Sequence, residues 1–111
     1  MRSQLQHGAE LFNQGEYWEA HEAWEVPWNA AKANGDMGSA NYIQGLILLA
    51  AAIHKRRHYQ NLAGGQRNYQ KALHRLAQSD QSASDGFLLE TLQNEVWAAL
   101  EDETLYPQLP L

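Results

Sequence analysis

The chain reads as an all-α protein, a compact bundle of about five helices with an apolar third helix at its centre. Three observations predict this. Apolar residues recur at three- and four-residue spacings along most of the 111 residues, no alternating strand pattern with hairpin chemistry interrupts them, and the run Leu46 to Ile53 is apolar on every side. The length lies below the roughly 150 residues that serve as a one-domain prior. A single all-helical domain over residues 1–111 is therefore expected, with its core at about 5–76 and a C-terminal helix and extended tail over 84–111.

The first helix is expected from Ser3, as its cap, to about Gln14, burying Leu5, Gly8, Ala9 and Phe12. Gly15 supplies the left-handed residue that stops it. A second helix starts near Glu16, and Tyr17, Ala20, Trp24 and Trp28 fall on one face of it. Trp18 lies off that face, which places it at a rim. Pro27 has no amide to offer the Ala23 carbonyl, so a kink or a fresh helical start is expected there. After the turn at Asn34 to Gly38, Ser39 is the expected cap of a third helix that ends near His58. Lys55, Arg56 and Arg57 stand where a helix C-terminus favours cations. Asn61 is placed to cap a fourth helix with Leu62, Gly65, Tyr69, Leu73 and Leu76 inward. Gln78 to Gly86 reads as a polar loop, Leu89, Leu92, Val96 and Leu100 define a fifth helix, and Leu105 to Leu111 an extended tail that docks apolar side chains.

Composition narrows the function classes. The absence of cysteine removes disulfides, thiolate metal sites and a thiol nucleophile, and points to a reducing, cytoplasmic location. The longest apolar run, Gly45 to Ile53, is less than half of the roughly 20 residues a membrane span needs, and no apolar signal segment follows Arg2. Neither membrane insertion nor secretion is expected. The net charge of −5 disfavours nucleic acid, for which the stripe Arg67, Lys71 and Arg75 is the single hint. Charges are segregated: residues 37–79 hold six bases and no acid, while residues 80–111 hold seven acids and no base. Such blocks attract one another within a fold or across a homo-oligomer, and self-association or a protein partner is expected.

Chemistry concentrates in His21-Glu22-Ala23-Trp24-Glu25. His21 and Glu25 share a helix face beside Trp24 and Trp28, and buried polar groups require partners. The third helix offers Gln44 and His54, with His58 one turn beyond. The simplest arrangement is a structural network of His21, Glu22, Glu25, Gln44 and His54. Three functional arrangements stand beside it: a zinc, iron or manganese site on His21, Glu25 and His54, an acid/base pair of His21 oriented by Glu25 with Glu22 and His54 as further catalytic candidates, and a pocket for a small ligand or a partner's side chain. The H-E-x-x-H zinc motif fails because position 25 is glutamate, leaving an H-E-x-x-E segment. No metal or other cofactor is expected. No nucleophile accompanies the histidine, so the reading leans to a non-enzymatic binding or scaffold module, with a metal-dependent or hydrolase-like enzyme as the alternative.

The residues Phe12-x-x-Gly15-x-Tyr17-x-Glu19-Ala20-His21-Glu22-x-x-Glu25-x-x-Trp28, then Gln44-Gly45-Leu46-Ile47-x-Leu49-Ala50-Ala51-x-x-His54 and Asn61, closely resemble the bacterial and archaeal family called domain of unknown function 309. The resemblance covers roughly Leu5 to Leu76. It implies a small, soluble, all-helical protein with a central helix, and no established activity. It also implies that His21, Glu22, Glu25, Trp28, Gln44, His54 and Asn61 occupy the family's signature positions. This chain departs from the pattern at Trp24, where an aliphatic residue is usual, and at Gln60, where glycine often precedes the asparagine.

Overall fold

Local capping and spacing set out the helices of the computed structural model, which describes residues 3–79 and 86–111. The elements in chain order are α1 (Ser3–Asn13), α2 (Tyr17–Ala33), α3 (Met37–His58), α4 (Leu62–Ala77) and α5 (Gly86–Glu101). No strand occurs among the described residues, and none of their helices is long and apolar enough to cross a membrane.

The apolar circumference of α3 organises the rest. Tyr42, Ile43, Leu46, Ile47, Leu49, Ala50, Ala52 and Ile53 are all buried, while Gln44, Leu48 and Ala51 on the remaining side are only partly so, and the helix needs cover from several directions. It receives that cover from α2, α4 and α5, while α1 packs on α2. At about 1.5 Å per residue, 22 residues extend roughly 33 Å. The helix therefore runs nearly the full 37 Å of the long axis. The expected central helix is where the pattern placed it.

Several details differ from the sequence-based expectation. Asp36, not Ser39, caps α3: its Oδ1 accepts from the Ser39 amide at 3.2 Å, and Ser39 itself is buried in the first turn. A carboxylate at that position also complements the helix dipole, which a hydroxyl does not. The α2 helix continues through Pro27 without a fresh start. Proline forfeits one hydrogen bond to the preceding turn, and packing of α2 against α1 and α3 supports the helix across it. Leu62 is exposed, its place on the inner face of α4 being taken by Gly64 and Ala72. Trp28 is only partly buried against the core. Of the polar loop, residues 80–85 lie outside the described residues.

Ser3, expected as the cap of the first helix, lies within α1, whereas several other local expectations hold in place. Asn61 caps α4, its Oδ1 accepting from the Gly64 amide at 2.8 Å. Gly15 ends the α1 turn at φ +82°. Gln60 stands in the same left-handed region at φ +52°, where a side chain carries a steric cost that glycine avoids. The tail docks by Pro107 and Leu109, which are buried, and leaves Leu105, Tyr106 and Leu111 exposed. Asn13 fixes it, donating to the Leu109 carbonyl at 2.9 Å and accepting from the Leu109 amide at 2.7 Å.

The α1–α2 crossing depends on Trp24. Its indole is fully buried, and Nε1 donates to the Leu5 carbonyl at 3.1 Å. The ring lies over Gly8 so closely that a Cβ there would overlap three indole atoms. Gly8→Ala sets about 1 kcal/mol of better helix propensity against roughly 1–3 kcal/mol of overpacking and a displaced hydrogen bond worth about 1 kcal/mol. Packing outweighs propensity, so the variant is expected to lose about 1–3 kcal/mol in urea unfolding. Unchanged or greater stability would show that the two helices have room to separate.

Candidate functional site

Two helical repeats meet to build the site. Trp18, His21 and Glu25 lie on one face of α2, while His54 and His58 lie one turn apart near the end of α3. Where the helices pack, the Trp18 ring stacks on His21 at a centroid distance of 4.7 Å and an interplanar angle of 25°. The same indole contacts His54 at 5.2 Å. His54 stacks on His58 at 4.9 Å with planes only 11° apart, and Tyr59 meets both imidazoles edge-on. The outcome is a row of five rings running from α2 to the end of α3. Each aromatic contact of this kind contributes about 0.5–1.5 kcal/mol beyond its buried area, so the row orders side chains that would otherwise be mobile.

The expected polar cluster divides. His21 and His54 come together through Trp18. His21 Nδ1 is 3.4 Å from Glu25 Oε1, close enough for an ion pair, yet this buried nitrogen has no partner in hydrogen-bond geometry among the described residues. Glu25 is 42% exposed, so the contact contributes little to stability. Glu22 is exposed. Gln44 precedes His54 by ten residues on α3, about 15 Å along the axis, too far to join its ring. Trp28 carries the Lys32 ammonium 3.5 Å above its ring, and Asn61 is occupied as the cap of α4. Among the described residues, no three His, Asp or Glu side chains converge as a metal shell requires, so His21, Glu25 and His54 do not form one as arranged.

Beside the ring row lies a cavity of about 730 Å³, where α2 begins, α3 ends and the tail crosses. Its other wall is made by Tyr17, Arg57 and Tyr106. Arg57 sits between the faces of Tyr17 and Tyr106, with its guanidinium carbon 5.6 Å and 4.8 Å from the two ring centroids. Its Nη2 donates to the carbonyls of Ala99 at 3.3 Å, Asp102 at 3.4 Å and Leu105. Neighbouring Arg56 donates to the Leu100 carbonyl at 2.9 Å and pairs with Glu103 at 3.0 Å. The basic run thus does more than offset the dipole of α3: it satisfies carbonyls at the end of α5 and joins the basic and acidic blocks of the chain.

Three buried polar atoms along this wall, Tyr17 Oη, Arg57 Nε and Arg57 Nη1, make no hydrogen bond of full geometry among the described residues, although the Tyr17 hydroxyl lies within reach of the Arg57 guanidinium. Leaving such a group unpaired costs about 1–3 kcal/mol. Burial raises the Tyr17 phenol pKa, and the nearby Arg57 charge opposes the shift. Neither Tyr17 nor Arg57 belonged to the expected cluster. Arg57 read as one of three cations at a helix end, and nothing in the order of residues linked it to a tail 48 positions away.

His54 titrates below the ordinary imidazole range. Burial lowers its pKa, the neighbouring His58 and His21 add to the effect, and Glu19 opposes it. The unfolded chain therefore takes up the proton more readily than the native one, and stability contributed above about pH 6.5 is lost as pH falls through that value. Comparing urea unfolding at pH 7.5 and 5.5, His54→Asn is expected to lose less stability on acidification than the parent. Equal losses in both proteins would show that His54 titrates alike in the folded and unfolded chains.

The ring row and the α2–α3 pairing lie within the segment that matches a known family model, described as "Domain of unknown function (DUF309)", over residues 5–68. No curated protein and no solved structure matches the chain. The matched segment runs from α1 into α4 and excludes α5 and the tail, so the Tyr106 side of the cavity lies beyond it. With more than half of its residues covered by that model, the chain belongs to the DUF309 family.

Proposed function

We propose that this protein is a non-enzymatic binding module whose ligand lies against the ring row and in the adjoining cavity. The observation that carries this reading is the exposure of the rings at the cavity: Trp18 is 45% and Tyr59 65% exposed, although each is held by ring contacts on one side. Large aromatic side chains fixed in position with a face left to solvent supply contact area at low entropic cost. A cavity of about 730 Å³ falls within the size range of small-molecule sites, and its wall combines aromatic faces with a few polar groups. An imidazole pair beside which the described residues place no nucleophile and no converging metal ligands fits recognition better than turnover.

A library of small aromatic fragments, screened against the full chain by protein-observed NMR, tests the reading. Hits are expected to shift the Trp18 indole N–H together with the His54 and Tyr59 ring signals. Trp18→Ala should weaken these hits at least tenfold, about 1.4 kcal/mol, while moving Tm by only a few degrees, because the ring is half exposed. Hits that avoid these three residues, or that survive the substitution unchanged, would overturn the assignment.

A further inference from the structure

The side of α3 that its neighbours leave partly covered carries Asn41, Gln44, Leu48, Ala51 and Lys55. Their spacing alternates three and four residues, the repeat of a seam that packs on a matching seam, and a polar residue within such a seam fixes its register. Two helices flank it. A Cβ on Gly64 would meet the Lys55 side chain, one on Gly45 would meet Leu76, and Asn41 donates to the Gln78 carbonyl at 3.5 Å. So α4 runs antiparallel beside the stripe and brings Arg75 about level with Gln44, Lys71 with Leu48 and Arg67 with Ala51. On the other flank Trp18 meets His54 and a short turn joins the end of α2 to the start of α3, which brings Trp28 about level with Gln44, Glu25 with Leu48 and Glu22 with Ala51. The face therefore has an acidic border on α2, a basic border on α4 and a small apolar centre. Lys32, the base of α2, sits over the Trp28 ring, and α4 holds no acid. Glu22, Arg67 and Lys71 are exposed, and among the described residues neither they nor Arg75 makes an ion pair.

We infer that this face docks on the same face of a second copy of the chain, the two α3 helices running parallel about a two-fold axis, so that the acidic border of each copy lies over the basic border of the other. Charge decides the orientation. A two-fold axis along α3 keeps every residue at its own level and exchanges the flanks, setting Glu22 opposite Arg67, Glu25 opposite Lys71 and the Trp28 ring opposite Arg75 of the second copy. An axis across the helices would run them antiparallel and stack α2 on α2 and α4 on α4, acid on acid and base on base. In the parallel arrangement Leu48 meets its own copy at the centre, and so does Asn41, whose amide both donates and accepts. Lys55 meets its own copy at the other end, and that repulsion sets the limit of the contact short of the cavity at the start of α2. The long side of the molecule, 37 by 23 Å, is of the size that supplies the roughly 800 Å² per partner of a stable interface. With Leu48, Ala51 and Trp28 as its apolar part, the interface draws its selectivity from charge, and salt weakens it.

Sedimentation equilibrium of the full chain at about 0.05 M and 0.5 M salt is the test. A species of twice the 12.6 kDa chain mass is expected at low salt, with its dissociation constant raised at least tenfold at high salt. Glu22→Arg and Arg67→Glu each place like charges opposite one another at two symmetry-related points, so each should weaken the dimer at least tenfold. Both sites are exposed, and the variants should keep the parent's far-UV circular dichroism and a Tm within a few degrees of it. The double variant Glu22→Arg/Arg67→Glu sets opposite charges across the axis again and should regain most of the parent's association, which a merely damaged surface would not do. A monomer at both salt concentrations, a dimer indifferent to salt, single variants that associate as well as the parent or better, or a double variant as weak as the single ones would each overturn the inference. Fragment binding at Trp18 is read by a separate measurement and stands or falls independently of the dimer.

Discussion

Burial of α3 over most of its circumference, all but the partly covered stripe of Asn41, Gln44, Leu48, Ala51 and Lys55, is the constraint from which the architecture follows. A helix with one narrow apolar stripe is satisfied by one neighbour, but the apolar arc of this one is too wide for a single helix to cover. Its neighbours are therefore obliged to surround it, and their amphipathic faces supply the cover. Close approach is built in with small residues. At Gly65, for example, a Cβ would come within 2.9 Å of the Ala52 carbonyl oxygen, so only glycine lets α4 lie this near.

Where the cover ends, the chemistry begins. The C-terminal turns of α3 extend past the apolar middle and carry His54, Arg56, Arg57 and His58 in succession. Each finds a different neighbour. The imidazoles join Trp18 in the ring row, and the guanidiniums reach the carbonyls that end α5. One helix end thus serves both as a clasp for the C-terminal segment and as one side of the candidate site. The helix ends that line much of the cavity hold Trp18, His54, Arg57 and His58 in position before any ligand arrives.

The division of the expected cluster shows how far spacing along a chain can be read. His21 with Glu25, and His54 with His58, were correctly legible as pairs, because residues four apart on a helix face one another whatever the tertiary fold. Asn61 as a cap was legible for the same reason. Gln44 was grouped with them because it shares α3, yet a rise of about 1.5 Å per residue separates it from the ring row. Trp18 was placed at a rim, and it is half exposed, but its contact with His54 depends on how α2 lies along α3.

The sequence by itself determined the helices, their approximate limits, the central position of α3 and the local polar pairs, since hydrophobic periodicity, capping residues and i to i+4 geometry act over a turn or two of chain. The family was legible in the same local patterns. Tertiary structure alone decided that Trp18 joins His21 to His54, that Arg57 clasps a segment 48 residues away, and that the Tyr17 hydroxyl and two guanidinium nitrogens are buried without hydrogen bonds of full geometry. Those contacts are set by the rotation and offset of one helix against another and by where the tail returns, and side chains meeting across such distances leave no spacing in the sequence by which to find them.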